Sequence, residues 1–208
     1  MDEELRLWSL PSDTVRECFA APPELEERLL AITDKVAPPG PKSPNLLGKL
    51  GPLLRHPVDA PAIRPGVPNR LDAIALMTSR FITPDRVSAC WVLLRAWLDD
   101  LAPAHTVIPL AHTSLDNLDF DLVRTGVPTE VSIRHLWGRR LDIPLGGPGF
   151  SFGYMRHATV LTLLTSWREA LDELEDATKA VVQPVLDFVA TYPDDPDTPD
   201  LIAWWTGR

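Results

Sequence analysis

Apolar and polar side chains alternate along Leu5-Arg-Leu-Trp-Ser-Leu10, which places Leu5, Leu7 or Trp8, and Leu10 near one face of a short strand. Ser12 and Asp13 follow as helix caps. Helices are predicted over about residues 12–19 and 23–36, the second opening Pro23-Glu-Leu-Glu-Glu with its carboxylates at the positive end of the helix dipole. Asn69-Arg-Leu-Asp72 forms an approximate capping box, and Leu71, Ile74, Ala75, Thr78 and Phe81 recur on one side of the helix it opens. Thr83-Pro84-Asp85 opens the next. Along that one Val87, Cys90, Trp91, Leu94, Leu98 and Leu101 repeat, and Leu93 and Trp97 widen the apolar surface, so it is predicted to be the central core helix.

Thr106 to Leu110 reads as a second strand, followed by a polar stretch, Ser114 to Asp121. A short helix over 129–137, ended by Gly138, leads to an extended run from Leu141 to Leu145. Val160, Leu163, Leu164, Trp167, Leu171 and Leu174 mark an amphipathic helix, and Val181, Val185, Leu186 and Val189 mark another. Asp200-Leu-Ile-Ala-Trp-Trp-Thr206 closes as a strand by residue type. The pattern implies an α+β class: a mostly helical single domain over 1–208 around a small, largely antiparallel sheet. The interruption is 38–68, with nine prolines in 31 residues, which excludes continuous helix or a central strand there. It is predicted to be a surface excursion, with Leu46 to Leu54 as one short helix inside it.

Composition narrows the function. The chain has 208 residues, 45% apolar and 24% charged, with a net charge of -9, a globular mixture and a poor match for a binder of phosphate backbones. Nucleic acid is therefore not expected as a partner. Arg outnumbers Lys, with abundant Ala and Pro, as in a GC-rich bacterial coding bias. Cys18 and Cys90 stand alone, without metal or redox spacing, and suit a reducing compartment. Met-Asp-Glu-Glu is no signal peptide, and no apolar run reaches membrane-spanning length, so the expectation is a cytoplasmic protein off the membrane.

Composition departs most sharply at Pro144-Leu-Gly-Gly-Pro-Gly-Phe-Ser-Phe-Gly-Tyr154, a shaped turn feeding the helix after it. It lacks the lysine of a phosphate loop and the third glycine of GxGxxG. Gly149-Phe-Ser-Phe-Gly153 matches GxSxG in letters, but only His157 follows Ser151, too soon for a Ser, Asp, His order. Its aromatics Phe150, Phe152 and Tyr154 either pin the turn to the core or line a pocket. The histidines never fall at HxxxH or HExxH spacing, and Asp116, Asp119 and Asp121 do not form a calcium loop, so no metal and no cofactor is expected.

Arg134, Arg139, Arg140 and Arg156 form the densest basic group, flanking His135 and Asp142. They can offset Asp99 and Asp100 at the unfavourable end of the core helix, or hold an anionic ligand or acidic partner. Trp204 and Trp205 must face opposite ways in a strand, and an exposed Trp205 would be a binding anchor.

The order of features, from the strand and helices of Leu5 to Ala20 through the middle helical pair to Gly153-Tyr154 opening a long helix and the closing Asp-Leu-Ile-Ala-Trp-Trp-Thr strand, resembles the small bacterial YfbM-like domains. The resemblance covers most of the chain outside the proline-rich excursion, and the chain departs from it by lacking a clear copy of the family's tryptophan-containing central segment, unless Ile133-Arg-His-Leu-Trp137 stands for it. It implies an α+β fold and carries over no catalytic residue. Two functions follow from the sequence. One is a binding protein that recognises a protein partner, of the immunity or regulatory type, its acidic charge suiting a basic partner. The other is a small-molecule enzyme or ligand-binding domain with a pocket near 134–154, His135 serving as acid or base and Arg139 or Arg140 as anion clamp. A homo-oligomer formed by pairing of the tryptophan strand is a third arrangement.

Overall fold

The computed structural model describes residues 3–37, 66–110, 114–145, 150–192 and 199–206. Most of the proline-rich excursion, including the helix expected at Leu46 to Leu54, lies outside them. The described residues fall into two compact units, one of 1–17 with 98–208 and one of 18–97. The α+β class read from the sequence is what the structure has: among the described residues, seven α-helices and one four-stranded sheet.

The larger unit is built on strands β1 (Glu4–Ser9), β2 (Ala104–Pro109), β3 (Phe150–Met155) and β4 (Leu201–Thr206), in the order β2-β1-β4-β3 and antiparallel throughout. β1 faces two partners and buries both sides, so Leu5 and Leu7 point one way and Trp8 the other. On the Trp8 side, Trp8 and Trp204 stack with centroids 6.2 Å apart, and the Trp8 indole donates to Asp99 Oδ1 at 2.8 Å. That bond, rather than the arginine group, answers the carboxylate of Asp99 near the end of its helix. The opposite side carries Leu5, Leu7, Leu201 and Ala203 into the main apolar cluster of this unit. Helices α6 (His157–Ala170) and α7 (Asp176–Val189) feed Val160, Leu163, Trp167, Val182 and Val185 into the same cluster.

Helix α5 (Leu115–Arg124) occupies the stretch read as merely polar. Ser114 caps it through the Asn117 N–H, and Leu115, Leu118 and Leu122 give it a buried stripe at helical spacing. Two 3-10 turns, Thr129–Val131 and Ile133–Trp137, replace the single short helix expected there. Phe150 to Met155 is a further correction, for it forms an edge strand instead of a turn.

In the smaller unit, α2 (Pro23–Val36) has the bounds expected from the sequence, and the Trp97 indole donates to Leu29 O at 3.1 Å and Thr33 Oγ1 at 3.2 Å. Helix α3 (Arg70–Met77) starts with the predicted capping box, in which Asn69 accepts from Asp72 N–H and the Asp72 carboxylate accepts from Asn69 N–H. Its predicted apolar side is wrong. Leu71 and Phe81 stand in solvent, whereas Asp72, Ala73, Leu76 and Met77 are buried, because Asp72 is drawn inward to the buried Arg86, whose Nε donates to it at 2.8 Å. Helix α4 (Val87–Leu101) buries the expected Cys90, Trp91, Leu94 and Leu98. Among the described residues, no helix is long and apolar enough to cross a membrane.

Candidate functional site

Three arginines from three separate elements surround one phenol. The phenol is Tyr154 in β3, opposite Ile202 of β4. On its outer side Tyr154 forms an isolated antiparallel bridge with Arg139, each N–H donating to the other's carbonyl, at 3.0 and 3.3 Å. Bridged residues project side chains to the same face, so the geometry turns Arg139 toward the Tyr154 ring. Gly153 makes this approach feasible, since a Cβ there would lie 2.5 Å from the carbonyl oxygens of both Trp137 and Arg139. Glycine is required here by proximity, and the backbone angle is ordinary.

Arg156 follows β3 directly and is the N-cap residue of α6, whose start has no side-chain cap. Arg16 comes from the short helix α1 (Ser12–Glu17), and its guanidinium lies 5.4 Å from the centre of the Tyr154 ring. Asp200, just before β4, anchors that helix by accepting the Ser12 N–H at 3.1 Å. Arg16 also donates to Asp13 at 2.7 Å, a carboxylate that is 85% exposed.

The Tyr154 hydroxyl is held below the usual tyrosine range, chiefly by hydrogen bonding from Arg16 against the opposing effect of burial, with Arg156 and Arg139 adding to it. Arg16 is raised in turn, first by Tyr154 and then by Asp13. Arg139 and Arg156 are exposed, and among the described residues neither they nor Arg140 forms an ion pair.

The other sequence candidates are placed elsewhere. Arg134 is committed to Asp116 and Asp119, the latter at 3.2 Å, which neutralises it locally. His135 is exposed, and its Nδ1 meets the Ser132 hydroxyl at 3.1 Å, with no carboxylate among the described residues paired to it for acid–base work. Arg140 is exposed, Phe152 is half-buried, and the side chain of Phe150 lies outside what is described. Trp205 is half-buried and stacked on Trp137 at 6.2 Å, so it packs on the core and is no free anchor. Nor can the tryptophan strand pair with a copy of itself, since β4 has a neighbour on both edges. Ser151 sits within β3 opposite Trp205, away from any strand-to-helix elbow.

Arg16 is the member that sequence reading missed. The helix carrying it is brief and capped by a distant aspartate, and nothing local ties it to Tyr154. The cluster is a set of fixed donors with little negative charge of its own, suited to gripping an anion. Among the described residues, no group of three His, Cys, Asp or Glu side chains could hold a metal ion. No family model, curated protein sequence or solved structure matches the chain.

Proposed function

We propose that this chain is a non-catalytic binding protein that recognises a protein partner, of the immunity or regulatory type, by taking an anionic group of that partner at Arg16, Arg139, Arg156 and Tyr154. The carrying observation is the Arg16 guanidinium 5.4 Å from the centre of the Tyr154 ring, with Arg139 bridged to Tyr154 through the backbone and Arg156 following β3 at the head of α6. A phenol is neutral near pH 7, so it leaves the mutual repulsion of those cations largely unanswered, and an arriving anion relieves it. Among the described residues, Asp13 is the one carboxylate paired into the group, and its exposure lets it yield. The net charge of -9 over the whole chain suits a partner whose acidic group is set in a basic surface.

The test is affinity capture from the native host at native expression, comparing the wild type with Arg139→Ala/Arg156→Ala. Both arginines are exposed, so the variant keeps its fold, which circular dichroism verifies. A stoichiometric partner lost from the double variant supports the reading. Equal recovery by both proteins removes the site from the account, and no recovered partner at all removes protein recognition.

A further inference from the structure

The arginine cluster carries more positive charge and more donor directions than one carboxylate can use. We infer that the anion it takes is a phosphate monoester. The inference rests on the cluster being the recognition site, and it adds the chemical class of what is recognised.

Charge gives the first argument. Arg16, Arg139 and Arg156 are placed about Tyr154, and Asp13 pairs with Arg16, so among the described residues three positive charges meet one paired carboxylate, an excess near two. A phosphate monoester brings about -1.5 to -2 at neutral pH, while a carboxylate brings one negative charge. Geometry gives the second. A carboxylate is planar and is satisfied by a single bidentate arginine, whereas a monoester offers three oxygens in a pyramid. The forks here come from α1, from the bridge beside β3 and from the head of α6, three directions set by three elements.

The third argument is the helix end. α6 runs fourteen residues from His157 and has no side-chain cap, so its positive pole adds to the guanidinium charge beside Arg156. Asp13 then acts as an internal competitor. It holds Arg16 while the site is empty and must release it when phosphate arrives. Removing its charge should tighten binding.

Small probes isolate the anion from any sequence context. The protein is titrated with phenyl phosphate and, separately, with benzoate, following the arginine Nε–Hε signals by NMR. Phenyl phosphate is expected to shift the Arg16, Arg139 and Arg156 signals saturably, with benzoate about tenfold weaker or more, the ratio of one additional charge-assisted bond. Arg156→Ala should weaken phenyl phosphate by a similar factor and Asp13→Asn should strengthen it. Equal affinity for the two probes, or no saturable shift of these three signals, overturns the inference. Phosphatase treatment of the captured material separates the two readings. A partner that still depends on the arginines after dephosphorylation leaves protein recognition standing and ends the phosphate inference. Phenyl phosphate binding without any captured partner does the reverse.

Discussion

Gly153→Ala should be among the most damaging single-methyl additions in this chain. Along one row of the sheet Leu7, Ala203 and Gly153 lie side by side, so side-chain size falls away toward the backbone of residues 137–139. A methyl at 153 would sit 2.5 Å from two carbonyl oxygens and 2.9 Å from the Trp137 carbonyl carbon. Reaching ordinary contact near 3.5 Å requires those main-chain atoms to retreat by about 1 Å. All are backbone, so no side chain can swing aside. Overpacking of this kind costs about 1–3 kcal/mol. The retreat also breaks the Arg139–Tyr154 bridge, whose two hydrogen bonds are worth about 1 kcal/mol each. The expected loss is about 3–5 kcal/mol, read as a lowered urea midpoint at unchanged slope. The variant should also lose affinity for phenyl phosphate, because Arg139 is displaced. A loss under about 0.5 kcal/mol, within the range of ordinary surface substitutions, would refute the close approach.

The two tyrosines should titrate apart. Ultraviolet titration is expected to show Tyr154 ionising below the ordinary tyrosine range and Tyr192 above it, the latter because burial disfavours its phenolate, with Tyr154→Phe removing the early step alone. The depressed Tyr154 contributes stability that is present above its unfolded value and lost as pH falls through its folded one, whereas Tyr192 contributes stability that is present below its unfolded value, near 10, and lost as pH rises. Asp121 accepts the Glu175 N–H at the head of α7; burial pushes its pKa up, but that bond with those from Arg124 and Thr178 brings it below the usual carboxylate value. Its stabilisation is therefore lost as pH falls through that lowered value, and Asp121→Asn should flatten the acid limb of a stability profile. Arg86→Met should cost about 3–5 kcal/mol in chemical denaturation by stranding the buried Asp72 carboxylate. Cys90, its thiol pushed up to about 12 mainly by burial, should resist thiol reagents until the protein unfolds.

Elements with one dominant signal were legible in the sequence. α2 and α7 follow clean periodicity, β4 follows residue type, and Asn69 with Asp72 announces the head of α3. Where two signals competed, the weaker-looking one sometimes won. Leu71 and Phe81 fit a helical stripe, but the ion pair of Asp72 with Arg86 decides which side of α3 is buried. In α5 the carboxylates of Asp116, Asp119 and Asp121 obscured the leucine spacing beneath them. β3 lay hidden in a glycine-rich stretch because its pairing is supplied by β4 and Arg139, which no local pattern encodes. The site was half legible for the same reason. Arg139, Arg156 and Tyr154 stood out by composition, while Arg16 reaches the ring only after β1 and β3 have joined the same sheet.

That sheet also sets a timetable for synthesis. Its inner pair, β1 with β4, joins residues as distant as Glu4 and Thr206. At roughly 5–20 residues per second, β1 leaves the ribosome about 10–40 s before β4 exists to cover it. Until then one long side of β1 stays open, and β3 has no inner neighbour. The larger unit therefore completes its sheet only once Leu201–Thr206 has been made, and the interval before it is when the nascent chain is most exposed to strand-edge aggregation and most dependent on chaperones.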